Sequence, residues 1–128
     1  MDKIAVLDSS ALMAVMRWET GAEKVAACLD WAIVSTVNLA EVETKLVSAG
    51  LDEQLAWSHI AQMKCKSVAF DEEQARIAGG LVKVTRPFGL SLGYRACLAL
   101  AMQRKAMVYT ADKVWKNLDL GIAIEVIR

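Results

Sequence analysis

Short apolar runs alternate with helical segments from one end of this chain to the other, and that alternation restricts the fold more than any other feature. The runs are "KIAVL" (residues 3–7), "AIVS" (32–35), "SVAF" (67–70), "MVYT" (107–110) and "IAIEVI" (122–127). Brief and mostly continuous in their apolar character, they match strands of a parallel sheet that is covered on both faces.

The segments between them read as helices. "DSSALMAVMRW" follows the first run, with Ser9 or Ser10 able to cap it. "TGAEKVAACLD" comes next, then "NLAEVETKLVSAG", closed by Gly50, and "DEQLAWSHIAQM", opened by Asp52. "DEEQARIAGGLVKV" carries acids in its first turn, "TRPFG" is a loop, "GLSLGYRACLALA" runs into a tightly packed helix, and "DKVWKNL" is a short helix. Strands alternating with helices throughout predict an α/β sandwich with a mostly parallel central sheet flanked by helices.

At 128 residues the chain fits a single domain, residues 1–128, with room for a real core. Its 55% hydrophobic content and single proline exclude a disordered chain. Lys plus Arg, at 15, balance Asp plus Glu, also 15, so any nucleic-acid binding must come from a local patch. Cys28, Cys65 and Cys97 are far apart and form no C-x-x-C pair, as expected of reduced core residues in a cytoplasmic protein. No apolar run approaches the ~18 residues of a membrane span, and "MDKIAVLD" enters a strand instead of a signal sequence. The expectation is a soluble protein with no membrane partner.

In an open α/β sheet, ligands bind beyond the carboxyl ends of the strands. Asp8 ends the first strand there, and Asp112 follows the fourth by two residues. An aspartate between a strand and a helix is most often an N-cap, although Ser9 and Ser10 offer Asp8 substitutes for that task. Glu41, one turn into the helix after the second strand, is placed for an i,i+4 pair with Lys45. The alternative is that Asp8, Glu41 and Asp112 converge. Carboxylates held together repel one another, and a hard divalent cation such as Mg²⁺ or Mn²⁺ compensates. Such a site suits hydrolysis of a phosphodiester, because the metal activates water and neutralises phosphate charge.

Taken together, "AVLDSSALMAV", "STVNLAEVETKL", "GLSLGYRACLALA" and "VYTADKVWKNLDLGIAIEVIR" closely resemble the PIN-domain ribonucleases, and among them the VapC toxins of type II toxin–antitoxin pairs. The likeness spans nearly the whole chain. It implies a PIN-like three-layer sandwich and a Mg²⁺- or Mn²⁺-dependent endoribonuclease that cuts structured RNA, commonly transfer RNA. It also implies a cognate antitoxin, a homodimer, and DNA contact only through that antitoxin. The residues matching the acidic, metal-binding site are Asp8, Glu41 and Asp112. Ser9 and Thr110 resemble the family's supporting hydroxyls, and Asn38 is a further candidate of that kind.

One position departs from the pattern. The family motif reads L-S-x-G-D-R, and here the residues are Leu90, Ser91, Leu92, Gly93, Tyr94 and Arg95. Tyr94 stands in place of the third acid. Tyr94, Cys97, Leu98 and Ala101 also share one apolar helical face, so a core role is the alternative. A phenol is a poor Mg²⁺ ligand and bulkier than a carboxylate, so the expectation is impaired or absent nuclease activity. A silent protein that binds antitoxin or RNA without cutting is the competing reading. A receiver domain would need paired acids after the first strand, and a DxD phosphatase an acid at Ser10; neither is present.

Arg86, Arg95, Lys113 and Lys116 lie near the expected crevice and are candidates for RNA phosphate contacts, with solvated surface charge as the alternative. Four tryptophans, Trp18, Trp31, Trp57 and Trp115, point to core packing or a protein interface before base stacking. The helices over residues 38–63 carry apolar residues suited to an antitoxin helix. His59 sits mid-helix, remote from the strand ends, and has no expected role.

Overall fold

A computed structural model describes residues 4–128. Five strands, β1 (Ala5–Leu7), β2 (Ala32–Ser35), β3 (Lys66–Val68), β4 (Met107–Thr110) and β5 (Ile124–Val126), form one sheet in the order β3-β2-β1-β4-β5. Every pairing is parallel. Alternating side chains divide the core in two. Ala5, Leu7, Ala32 and Val34 face α1 (Ser9–Arg17), α2 (Ala22–Ala26), α3 (Thr36–Ser48) and α4 (Glu53–Gln62), which contribute Leu12, Val25, Val42 and Ile60. On the other face, Val6, Ile33 and Val108 meet Leu98 and Leu100 of α7 (Leu92–Arg104), with Leu81 and Trp115 alongside. The result is a three-layer α/β/α sandwich, as expected from the sequence.

The chain moves outward from β1 through β2 to β3, then crosses back to place β4 on the other side of β1. This reversal is the topological switch point, where parallel sheets open a crevice. Register fixes what lies there. Leu7 pairs with Tyr109 and with Val34, so the next residues, Asp8, Thr110 and Ser35, stand side by side at the sheet's carboxyl edge.

Several boundaries differ from the sequence expectation. The expected start of β1 at Lys3 lies outside the described residues. β3 stops at Val68, because the Phe70 N–H donates to Thr36 Oγ1 (3.1 Å) and the Ala69 carbonyl accepts from Gln74 Nε2 (3.1 Å), which takes both residues off the ladder. The helix expected over residues 71–84 breaks after Gly79-Gly80 into α5 (Glu72–Gly80) and α6 (Val82–Thr85), with Leu81 buried at the bend. "TRPFG" contains a 3-10 turn, Arg86–Phe88, closed by Gly89 at φ +64°, and "DKVWKNL" is likewise 3-10, Lys113–Asn117. The helix read in "TGAEKVAACLD" shrinks to α2 and a 3-10 turn, Leu29–Trp31.

The helix ends expected at Asp52 and Gly50 hold. Asp52 caps α4 by accepting from the Gln54 and Leu55 amides. Gly50, at φ +108°, follows α3, and the Leu51 N–H reaches back to the Leu46 carbonyl (3.1 Å), closing the helix end. Cys28 and Cys97 are buried, Cys65 is partly so, and all three are free thiols. Trp115 is fully buried, while Trp18, Trp31 and Trp57 are exposed. Among the described residues, no helix is long and apolar enough to cross a membrane.

Candidate functional site

Asp8 is fully buried and caps α1 itself, accepting from the Ala11 amide at Oδ1 (2.8 Å). The cap expected of Ser9 or Ser10 is therefore Asp8's, and Ser10 has another task. Its hydroxyl donates to Asp8 Oδ1 (2.7 Å) and accepts from the Ala111 amide (2.9 Å). Thr110 Oγ1 donates to Asp8 Oδ2 (2.6 Å) and accepts from the Asp112 amide (3.1 Å). Both hydroxyl protons are thus committed to Asp8, and the 3.3 Å approach of Ser10 to Thr110 is proximity without a shared proton. Ser9 is buried, and the carboxylate contact anticipated for it is made by Ser10. A residue at the start of a helix points about 100° away from its neighbour, and it is the second serine that faces β4.

Burial pushes the Asp8 carboxyl above its ordinary range, against the Thr110, Ser10 and Ala11 hydrogen bonds, and the charge of Asp112 adds to the rise. The sign follows. A carboxyl whose folded-state pKa is raised takes up its proton more readily when folded, so stability declines as pH climbs from the unfolded-state value through the folded one. Asp8→Asn keeps the Oδ1 cap and removes the charge. Its new amide can donate to Thr110 Oγ1, whose own proton turns toward Ser10. The variant is expected to be more stable than the parent at neutral pH by about 1 kcal/mol, the usual scale for a relieved active-site charge. Urea midpoints measured across pH should show that gain shrinking on acidification; a gain independent of pH would contradict the buried-charge account.

Asp112 caps the 3-10 turn that follows it, accepting from the Val114 amide (3.1 Å). Glu41 makes no ion pair with Lys45. It is held by Asn38, whose Nδ2 donates to Glu41 Oε1 (2.9 Å) and to the Gly93 carbonyl (3.0 Å). Asn38 is fully buried, and its Oδ1 has no partner among the described residues. The Glu41 carboxylate lies directly over the Cα of Gly93, where any Cβ would overlap it. Glycine in "LSLGY" is therefore required by the close approach of Glu41 and not by backbone conformation.

Tyr94 opens α7 and packs its ring edge-on against Trp115, with centroids 5.3 Å apart and an interplanar angle of 75°. Burial and the charges of Asp112, Asp8 and Glu41 push its phenol up to about 12. The charges of all three acids thus reach Tyr94, which stays neutral at any working pH. Cys97, one turn further on and fully buried, is raised by burial and by the Asp8 and Glu41 charges.

Among the described residues, no group of three acids, histidines or cysteines lies close enough to share an ion. Both Asp8 oxygens are occupied by donors. Of the basic candidates, Lys113 lines an open cleft beside Tyr94 and Asp112, and Arg86 and Lys116 are exposed. Arg95 turns away and donates from Nη1 to the Ala78 carbonyl of α5 (3.0 Å), acting as a strut between helices. From sequence Ser10 was named only as a helix cap and Gly93 only as a glycine of the family motif, and Thr20 and Arg128 carried no local signal.

The PIN domain family profile matches residues 5–120. The chain belongs to the PIN-domain family. Solved structures with the same fold include DNA-bound VapBC from Salmonella typhimurium, 16% identical, with a TM-score of 0.73 and 98% of each chain covered. VapBC2 from Rickettsia felis bound to a promoter DNA fragment is 17% identical, with a TM-score of 0.70, 95% of this chain covered and 97% of that one. VapBC-5 from Mycobacterium tuberculosis is 21% identical, with a TM-score of 0.64 and 99% of each covered. No curated protein sequence matches at a significant level. At these identities the likeness is one of fold, and this PIN domain shares it along nearly its full length.

Proposed function

We propose that this PIN domain is the toxin-type member of a toxin–antitoxin pair, an endoribonuclease directed at structured RNA such as transfer RNA, whose cleavage is impaired by Tyr94. PIN domains are generally nucleases that use divalent metal ions, and the toxin–antitoxin complexes of like fold support an antitoxin partner. The observation that carries the reading is the position of the phenol, amid Asp8, Glu41 and Asp112 and backed by Trp115. Asp8 and Asp112 lie at the ends of β1 and β4, Glu41 lies in α3, and the charge of each is felt at the phenol.

A second reading, a silent protein that binds its partner or RNA without cutting, is favoured by the lack of a shared metal-ligand set among the described residues. Cleavage of a labelled transfer-RNA pool with Mg²⁺ or Mn²⁺ separates the two. If Tyr94→Asp cuts, and Asp8→Ala in that background does not, the acidic site is real and Tyr94 suppresses it. If neither cuts, the silent reading stands.

The Gly93 contact adds a prediction to the same assay. Gly93→Ala in the Tyr94→Asp background should displace Glu41 and lower the recovered cleavage by about tenfold or more, the scale of a misplaced metal-site group. Stability should change by no more than about 1 kcal/mol, because the helix gain of alanine offsets the disturbed glutamate. Unchanged cleavage would show that Glu41 does not need its place over Gly93.

A further inference from the structure

Beside Tyr94 lies an open cleft of about 760 Å³, lined by Ser10, Thr20, Tyr94, Asp112, Lys113 and Arg128. Three distant segments build it. The Ile127 N–H donates to the Thr110 carbonyl (2.9 Å), which holds the chain leaving β5 beside the end of β4. Gly21, at φ +93°, lies so close that a Cβ would overlap the Ile127 carbonyl, which brings the turn between α1 and α2 onto the same edge. Arg128 then spans the gap, donating from Nη1 to Glu19 Oε1 (3.0 Å) and to the Thr20 carbonyl (3.3 Å). One nitrogen anchors the guanidinium; among the described residues, Nε and Nη2 make no hydrogen bond, and Lys113 makes no ion pair.

We propose that this cleft holds a backbone phosphate of RNA without a metal ion, gripped by Arg128 and Lys113 and by the hydroxyls of Thr20 and Tyr94. The proposal rests on reading the chain as an RNA-directed PIN domain, and adds Arg128 and Thr20, which neither the family motif nor the acidic cluster includes, to Lys113 and Tyr94. A phosphodiester is a singly charged anion with oxygens directed to several sides. A planar guanidinium, an ammonium and two hydroxyls on different walls suit it better than they suit a flat carboxylate. The neighbouring acids oppose it least in this chain. Asp8 is buried under three donors, Asp112 is engaged by the Val114 amide, and the phenol puts a neutral donor where an aspartate would repel phosphate.

The test is fluorescence anisotropy of a short labelled single-stranded RNA, in EDTA and at several salt concentrations. The parent chain should bind. Arg128→Gln and Lys113→Gln should each weaken binding and flatten the plot of log affinity against log salt by about 0.7, as for one lost phosphate contact on a single strand. Tyr94→Asp should also bind more weakly in EDTA. Glu19→Gln breaks the Arg128 anchor but removes a negative charge, so it should tighten binding, whereas a merely structural role for Arg128 predicts weakening. No binding in EDTA, or unchanged affinity and slope in both cation variants, overturns the proposal. Full displacement of the RNA by an equal concentration of an aspartate-rich peptide overturns it in favour of a protein ligand. Cleavage is not read here, so failure of this test and failure of the Tyr94→Asp cleavage test are separate results.

Discussion

Tyr94→Asp is expected to raise Mg²⁺-dependent RNA cleavage by about 10–100-fold or more, since loss of even a supporting metal-site group has effects of that size. The substituted position is central: its phenol feels Asp112, Asp8 and Glu41 together. A carboxylate there would add a hard ligand and open the space the ring fills. It would also sit in the first turn of α7, where the helix dipole favours a negative charge by about 0.3–1 kcal/mol. Against this, the variant loses the edge-on contact with Trp115, a pair of a kind worth about 0.5–1.5 kcal/mol, and crowds a fourth acid among three. Its melting temperature should therefore fall in EDTA and recover in Mg²⁺, while the parent responds little to the metal. A melting temperature indifferent to Mg²⁺ would sink the account even if some cleavage appeared.

The second large effect concerns the floor beneath that ring. Trp115 is the largest fully buried side chain, reached from a 3-10 turn that Asp112 caps. Trp115→Ala should destabilise the protein by about 3–5 kcal/mol, the range for emptying a large aromatic site. A domain of this size has only about 5–15 kcal/mol to lose, so a large drop in the urea midpoint is expected. Trp115→Phe should lose far less. The indole Nε1 has no hydrogen-bond partner among the described residues, so the smaller ring gives up packing alone. If alanine were tolerated with a shift below about 1 kcal/mol, the second core would not depend on this residue as its burial indicates.

The order of elements was legible in the sequence because short apolar runs and helical segments differ in period, and the structure keeps that order throughout. What local pattern could not reveal was where side chains from elsewhere capture the backbone. Thr36 and Gln74 end β3 early, and no residue within "SVAF" signals it. The strand-end acids were readable for the same topological reason that places them. Ser10 was passed over for Ser9 because adjacency in sequence is not adjacency across a sheet. Arg95 was read as a cleft residue from its motif, yet the turn of α7 sends it to Ala78. Arg128 and Thr20 meet only because the sheet closes on the α1–α2 turn.

The hydrogen bonds around Asp8 act as a rivet between two distant parts of the chain. By joining the start of α1 to the end of β4, Asp8, Ser10 and Thr110 pin together two strands whose chains depart in opposite directions. The junction needs those hydrogen bonds and not the charge, since Asp8→Asn would keep the cap and shed the cost of a buried carboxylate. A charged group at this junction is thus one that folding alone does not ask for. Glu41 over a bare Gly93 belongs to a second such rivet, in which Asn38 ties α3 to the first turn of α7.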